Sequence, residues 1–255
     1  ARPARPFASS YSLMTLSFST AAPRAHLLAP LAVALLLVAS SRSAVAQVGH
    51  LPDKSPYEDV KPGQSLSVSV GQLGVKRDPA NVAPAASPFV SLRYDLPVGG
   101  PAALYARYSF APSDRNVLDP NKPRATRIVG KSSVTTHVVD LGLDLSLTGQ
   151  KTWRHLMPSL TGGVGLVSDF ARADTGAYKF GTKFSFTYGA GLKYLFKNGW
   201  AIRGDATNSI WQYQYPDKYF VKASDTTSVL SDTRARSAWR GNWSLSAGVS
   251  IPIFR

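Results

Sequence analysis

The sequence predicts an all-β chain, an antiparallel up-and-down transmembrane β-barrel of about eight strands with long extracellular loops and short periplasmic turns. Three observations predict it. Apolar and polar residues alternate with period two along most of the chain. The connections between these runs are long and short by turns. A short apolar segment with the features of an export address precedes the first run.

The address comes first. Residues 27–39 read Leu-Leu-Ala-Pro-Leu-Ala-Val-Ala-Leu-Leu-Leu-Val-Ala. A spanning helix needs about 20 apolar residues, so this run is too short to cross a bilayer. Arg24 and His26 precede it and Ala44-Val45-Ala46 follows, which makes a basic region, an apolar region and a small-residue cleavage site. Residues 1–46 are therefore expected to be a signal peptide cut after Ala46, with an upstream extension before Met14, the first methionine. Residues 47–62 form a periplasmic lead segment and residues 63–255 the barrel.

Eight alternating runs follow. Their apolar rows are Leu66, Val68 and Val70; Leu92, Tyr94 and Leu96; Leu104, Ala106, Tyr108 and Phe110; and Val139 through Leu147. The next four are Leu160, Val164 and Leu166; Phe184 through Tyr194; Ile202, Ala206 and Ile210; and Trp243 through Ile253. The first and seventh are the least regular. Leu73 and Val75 leave the phase of Val70, and Asn208 interrupts the apolar row between Ala206 and Ile210. The connections measure about 12, 5, 24, 8, 13, 3 and 26 residues, with strand ends placed to within a few positions. This long–short alternation is that of a barrel with loops on one side of a membrane and turns on the other.

Parity tests one turn. A two-residue turn at Asn198-Gly199 would set Tyr194 opposite Arg203, an outward residue against an inward one, which the pleat forbids. A turn one residue longer pairs Tyr194 with Ile202 and Phe196 with Trp200, with Gly199 in the left-handed position.

Period two alone does not say which face is outside, and a soluble lipocalin-like barrel would bury the apolar rows. Long apolar rows favour the inverted arrangement, since a tilted spanning strand needs about 9–11 residues. So do aromatics near strand ends: Tyr94, Tyr194, Phe196 and Trp200 at one edge, Phe110, Phe184, Trp211, Tyr213, Trp239 and Trp243 at the other. The polar rows are Gly, Ser, Thr, Asp and Arg, with Lys193 as the strand-borne lysine.

On these runs, Gly63 to Arg255 resembles the eight-stranded outer-membrane barrel group that includes the OmpA-type transmembrane domain and the OmpX-type barrels. The resemblance implies an outer-membrane location and insertion by the barrel-assembly machinery. Members commonly end in an aromatic residue that continues the apolar row; here Phe254 falls out of phase with Ile253 and Arg255 follows it.

The inward rows carry Arg93, Arg107, Lys193 and Arg203 against Asp95, Asp140, Asp144 and Asp205. Eight strands leave an interior that side chains just fill, and an unpaired buried charge costs several kcal/mol. The eight residues are therefore expected to form a network, with Asp205 diagonal to Lys193. The same charges could line an ion path or proton relay.

The chain has no cysteine and a formal charge of +14, which excludes disulfides and thiolate chemistry and favours anionic partners. Glu58 is the one glutamate beside many aspartates, a bias toward turns and away from helices. Gly130-Lys131-Ser132 has the end of a phosphate loop, but Ala125 stands where its leading glycine belongs. No nucleophile elbow or zinc-binding His-Glu-x-x-His occurs. His137 at a strand end and His155 in a turn read as interfacial or solvated. Gly162-Gly163-x-Gly165 reads as relief of crowding in a strand. No cofactor and no nucleic-acid module are expected.

The long loops are the expected working surface. Arg115, Lys122, Arg124, Arg127 and Lys131 outnumber acids in the second, and Lys218, Lys222, Arg234, Arg236 and Arg240 in the fourth. The sequence thus supports a non-enzymatic structural or interaction barrel whose basic loops face anionic polymer or lipopolysaccharide, with outer-membrane lipid around it. A narrow channel or carrier for small molecules is the alternative reading, and a lipid-modifying enzyme the third.

Overall fold

A strand inside a bilayer must satisfy its backbone on both edges, because lipid offers no hydrogen bonds. Closure of the sheet is the solution seen. The computed structural model describes residues 55–61 and 63–254. The strands are β1 (Tyr57–Asp59), β2 (Gln64–Gly74), β3 (Ser87–Gly99), β4 (Ala102–Leu118), β5 (Ile128–Ser146), β6 (Lys151–Trp153), β7 (Leu156–Ser168), β8 (Thr182–Leu195), β9 (Ala201–Gln214) and β10 (Ser237–Phe254). Eight of them pair in the antiparallel order β7-β5-β4-β3-β2-β10-β9-β8, and β8 returns to β7, closing the barrel. The short strands β1 and β6 pair with each other at the short-turn rim. The expected signal peptide, its cleavage after Ala46 and most of the lead segment lie outside the described residues.

The facing is inverted relative to a soluble barrel. On β2, Ser67 and Ser69 are buried while Val68 and Val70 are 54% and 62% exposed. Leu141 and Leu143 on β5 and Leu245 on β10 point outward in the same way, with Asp140 and Asp144 inward. Hydrocarbon is the medium in which such an outer surface is stable.

The turn at residues 196–200 follows the parity argument. Tyr194 pairs with Ile202, the Phe196 N–H donates to the Trp200 carbonyl at 2.8 Å, and Gly199 has φ +90°. A side chain at that φ would be strained, so glycine is required there.

Two expectations are corrected. The second long connection spans only residues 119–127, because β4 runs to Leu118 and β5 begins at Ile128. Residues such as Ser113, Asp114 and Lys131 extend this hairpin past the apolar rows. Outward positions there can be polar, and the alternation that marks a strand fades. Second, Trp211 and Tyr213 are 1% and 0% exposed, so they belong to the interior and not to an outer aromatic belt. Ile210 is outward, and parity turns its neighbours in. As expected, Leu73 leaves the phase of Val70: it is an inward apolar residue packed with Phe89 and Ala111. Asn208 interrupts the outward apolar row while β9 continues through it.

The main apolar core lies inside the long-loop end. Val82 from residues 75–86, Tyr178 and Phe180 from 169–181, and Tyr219 and Leu230 from 215–236 pack with Val138, Val167, Trp211 and Tyr213 of the barrel wall. The loops fold into the mouth and cap it.

Candidate functional site

The lumen below this cap is filled by charge. Inward positions on β3, β4, β5, β8 and β9 supply the groups, because period two points every second side chain at the barrel axis. The structure brings the eight lumen charges into two sets. In the larger, Asp144 Oδ2 accepts from Arg93 Nη2 at 2.5 Å and from Arg203 Nη2 at 2.9 Å. Arg93 Nε also bonds Asp95 at 2.9 Å, and Arg203 Nε bonds Asp205 Oδ2 at 2.7 Å. Arg203 Nη1 reaches Asp95 at 3.3 Å, and Lys193 Nζ lies 3.8 Å from the same carboxylate. In the smaller set, Arg107 holds Asp140 Oδ2 at 2.8 Å and 3.0 Å, while the Thr187 hydroxyl donates to Oδ1 at 2.9 Å. Register sets Lys193 opposite Arg203 and Asp205 opposite Gly191, so Asp205 is diagonal to Lys193 as expected, but the two do not pair: Asp205 bonds Arg203 and Lys193 turns to Asp95.

Space for these groups comes from inward glycines. A Cβ at Gly165 would stand 2.8 Å from Asp140 Oδ1, and one at Gly191 2.7 Å from Asp205 Oδ1. A Cβ at Gly163 would stand 2.6 Å from the Tyr105 hydroxyl. Tyr105, buried between β3 and β5, carries the Arg93 guanidinium 4.1 Å over its ring. Tyr105 and Thr187 were not singled out from sequence, although parity places both on inward rows.

Below the network a cavity of about 500 Å³ is lined by residues of the short-turn rim, among them Lys61, Gly100, Gly149 and Lys197. Asp95, Asp144 and Lys193 also line it. His155 beside it lies 3.3 Å from Glu58, and Lys151 3.6 Å from Asp59. These solvent-accessible pairs tether β1 weakly to β6 and to the turn that follows it.

The basic loop residues divide. Arg115 and Arg127 are buried and work inside the loops, a correction to their reading as surface charge. Arg115 bonds Asp174 at 2.7 Å. Arg127 donates to the Ser228 and Thr227 carbonyls at 2.9 Å and 3.0 Å and to the Thr227 hydroxyl at 2.8 Å. The Arg124 N–H donates to Asp225 at 2.7 Å. That bond, together with the Thr227 hydroxyl, holds the Asp225 carboxyl down at about 2. Lys122, Arg124, Lys218, Lys222 and Arg234 are exposed around this latch, and Lys131 is exposed on β5. Arg236 is exposed, paired with Asp217, its guanidinium 5.2 Å over Phe220. Arg240 is half-buried on β10.

Asp78 was not singled out from sequence. Its buried carboxylate accepts the N–H groups of Ala80, Val82 and Ala83 at 2.8–3.0 Å and the Tyr215 hydroxyl at 3.0 Å, joining the first loop to the fourth. Burial, and next the Asp78 charge, push the Tyr215 and Tyr178 hydroxyls well above the usual tyrosine value. Burial and Asp174 do the same to Tyr219.

His137 sits on the outer wall, its Nδ1 2.8 Å from the Tyr108 hydroxyl, among the rings of Phe110 and Phe170. A hydrolase histidine would instead join a nucleophile to an orienting carboxylate.

The model of the outer membrane protein beta-barrel domain family matches residues 31–249. Solved structures similar to the chain include the outer membrane enzyme PagL, 14% identical over 74% of this chain and 99% of that one, with a TM-score of 0.37. The outer membrane protein Ail of Yersinia pestis is 18% identical over 74% of this chain and 100% of its own, with a TM-score of 0.36. Neisserial surface protein A is 11% identical over 78% and 98%, with a TM-score of 0.37. No curated protein matches.

Proposed function

The chain belongs to the outer membrane protein beta-barrel domain family, and from that premise we propose that it is a closed barrel that stabilises the outer membrane and presents a fixed basic surface to anionic polymer or lipopolysaccharide. The observation that carries this reading is the Arg127 latch, which ties residues 119–127 to 215–236. Loops fixed before binding lose little entropy when they bind. The exposed Lys122, Arg124, Lys218 and Lys222 on the same two loops supply the charge. The aromatic cap and the paired lumen charges support a barrel that does not conduct.

The test is binding of the folded barrel to dextran sulfate and to purified lipopolysaccharide. Expected are salt-weakened binding and its loss when Lys122, Arg124, Lys218 and Lys222 become Ala together. No binding at low salt would reject the reading. The cavity at the short-turn rim favours a second reading, a narrow channel or carrier for small molecules. Planar-bilayer conductance separates the two, since a steady current belongs only to the second.

A further inference from the structure

The inward rows change character at the short-turn end of the barrel. Eight strands leave an interior that ordinary side chains fill. Below the charge network, however, inward positions hold small residues such as Ser65, Ala103 and Ala201, and the cavity of about 500 Å³ is the consequence. Small-molecule sites have volumes of about 300–1,000 Å³, so this one is large enough for a ligand. Arg93, Asp95, Asp144 and Arg203 close its inner end, each no more than 4% exposed. A molecule entering from the short-turn side therefore meets a blind pocket and not a path.

One cation at the inner end is accessible and poorly satisfied. Lys193 lies on the inward row of β8, and 17% of its side chain is exposed. Its ammonium carries three N–H donors. Its ionic contact is Asp95 Oδ2 at 3.8 Å, beyond hydrogen-bond reach, and Asp95 is already held by Arg93 Nε and Arg203 Nη1. Lys61 and Lys197 also line the cavity, both exposed and, among the described residues, in no ion pair. The carboxylates that line it are by contrast engaged: Asp95 and Asp144 by arginines, Glu58 by His155 and Asp59 by Lys151. What the cavity offers a ligand is positive charge. Its wall is otherwise largely apolar. Met157 stands directly opposite Lys193, and Ala103, Leu195 and Ala201 continue the lining.

We propose that this cavity binds a small organic acid with an apolar body, taken up from the periplasmic side. The carboxylate accepts hydrogen bonds from Lys193 Nζ. The apolar body lies against Met157, Ala103 and Ala201, where its burial is favourable. Lys61 and Lys197 draw the anion to the mouth. The site is at the opposite end of the barrel from the basic loops, and a ligand held under the network is not passed through it. It therefore stands or falls apart from both polymer binding and conduction.

The experiment follows the Met157 methyl group by NMR in the full chain, labelled with carbon-13 methyl methionine and held in lipid nanodiscs. The chain has two methionines, Met14 and Met157, and Met157→Leu assigns the signal. The probes are phenylbutyrate, its amine counterpart phenylbutylamine, and succinate, which has carboxylates but no apolar body. Phenylbutyrate is expected to shift the Met157 signal saturably, at concentrations about tenfold below those at which the amine or succinate acts. Lys193→Gln removes the charge, and Ala103→Leu fills the cavity while removing no charge. Each should weaken phenylbutyrate binding by about tenfold, the weight of one good contact. Lys179→Gln, exposed in the third long loop at the far end, should leave binding unchanged. Heat-modifiable migration on gels confirms that each variant is folded, and Ala103→Leu carries the test if Lys193→Gln does not fold. A Met157 signal unmoved by phenylbutyrate, an equal response to the amine, or unchanged affinity in the folded variants would overturn the proposal.

Discussion

Arg93 and Arg203 share one acceptor: the Nη2 atoms of the two guanidinium groups lie 2.5 Å and 2.9 Å from Asp144 Oδ2. Removing that carboxylate leaves two buried cations facing each other. Asp144→Ala is expected to destabilise the barrel by about 3–5 kcal/mol, the cost of breaking a buried ion pair. Asp205→Ala should cost less, because Arg203 keeps Asp95 and Asp144. Urea unfolding in detergent or lipid measures both. A double-mutant cycle between Asp205 and Lys193 should be additive within about 0.5 kcal/mol, while Lys193 with Asp95 should couple.

The inverted facing predicts an asymmetry between two sites on β5. Leu143, on the lipid-facing row, should tolerate arginine badly: Leu143→Arg is expected to cost about 2–4 kcal/mol in bilayers. Ser146 lines the cavity at the short-turn rim, so Ser146→Arg places its guanidinium in a wet space and should cost far less. A Leu143→Arg barrel as stable in lipid as the parent would refute the facing.

How far these sites could be read from sequence depends on which periodicity survives. The rows Val139–Leu147 and Phe184–Tyr194 face a uniform medium, so their alternation shows, and parity alone placed Arg93, Asp140 and Arg203 inside. Residues 111–118 and 128–134 continue the same strands above the apolar zone, where both faces can be polar, and the signal vanishes. Pairing within the lumen needs side-chain geometry as well as parity and register. The register of β8 and β9 is the expected one and sets Asp205 diagonal to Lys193, yet Asp205 bonds its own-strand neighbour Arg203. Asp78 and Asp174 have no signal at all. They lie in loops, and their importance comes from the N–H groups that the chain folds around them.

The latch between the second and fourth loops rests chiefly on Arg127, beside the Arg124 N–H bond to Asp225. Arg127→Ala removes its bonds to the Thr227 and Ser228 carbonyls and to the Thr227 hydroxyl. Hydrogen exchange across residues 215–236 is expected to quicken by about tenfold, with the barrel strands unaffected. Arg234→Ala, an exposed neighbour, is the control and should leave exchange alone. Unchanged exchange in Arg127→Ala would mean that the cap holds the loop without the latch.

The cap predicts how the protein behaves in alkali. Tyr178, Tyr215 and Tyr219 are each buried within it, and burial disfavours the phenolate. Asp78 adds a repulsion at Tyr178 and Tyr215, and Asp174 at Tyr219. Their folded values therefore lie above the ordinary value of about 10 for tyrosine. The sign follows from proton linkage. A raised folded pKa gives stability that is fully present below pH 10 and is lost as the pH climbs through the folded values. Between those limits the unfolded chain releases protons that the cap retains. Phenolate absorbance at pH 11 should accordingly be lower in the folded barrel than in the urea-unfolded chain, which ionises most of its 11 tyrosines. Asp78→Asn removes a negative charge beside the Tyr215 hydroxyl, so part of the missing absorbance should return at lower pH while the barrel remains folded. Full ionisation of all tyrosines near pH 10 in a barrel that still resists heat on gels would show that the mouth stands open to water.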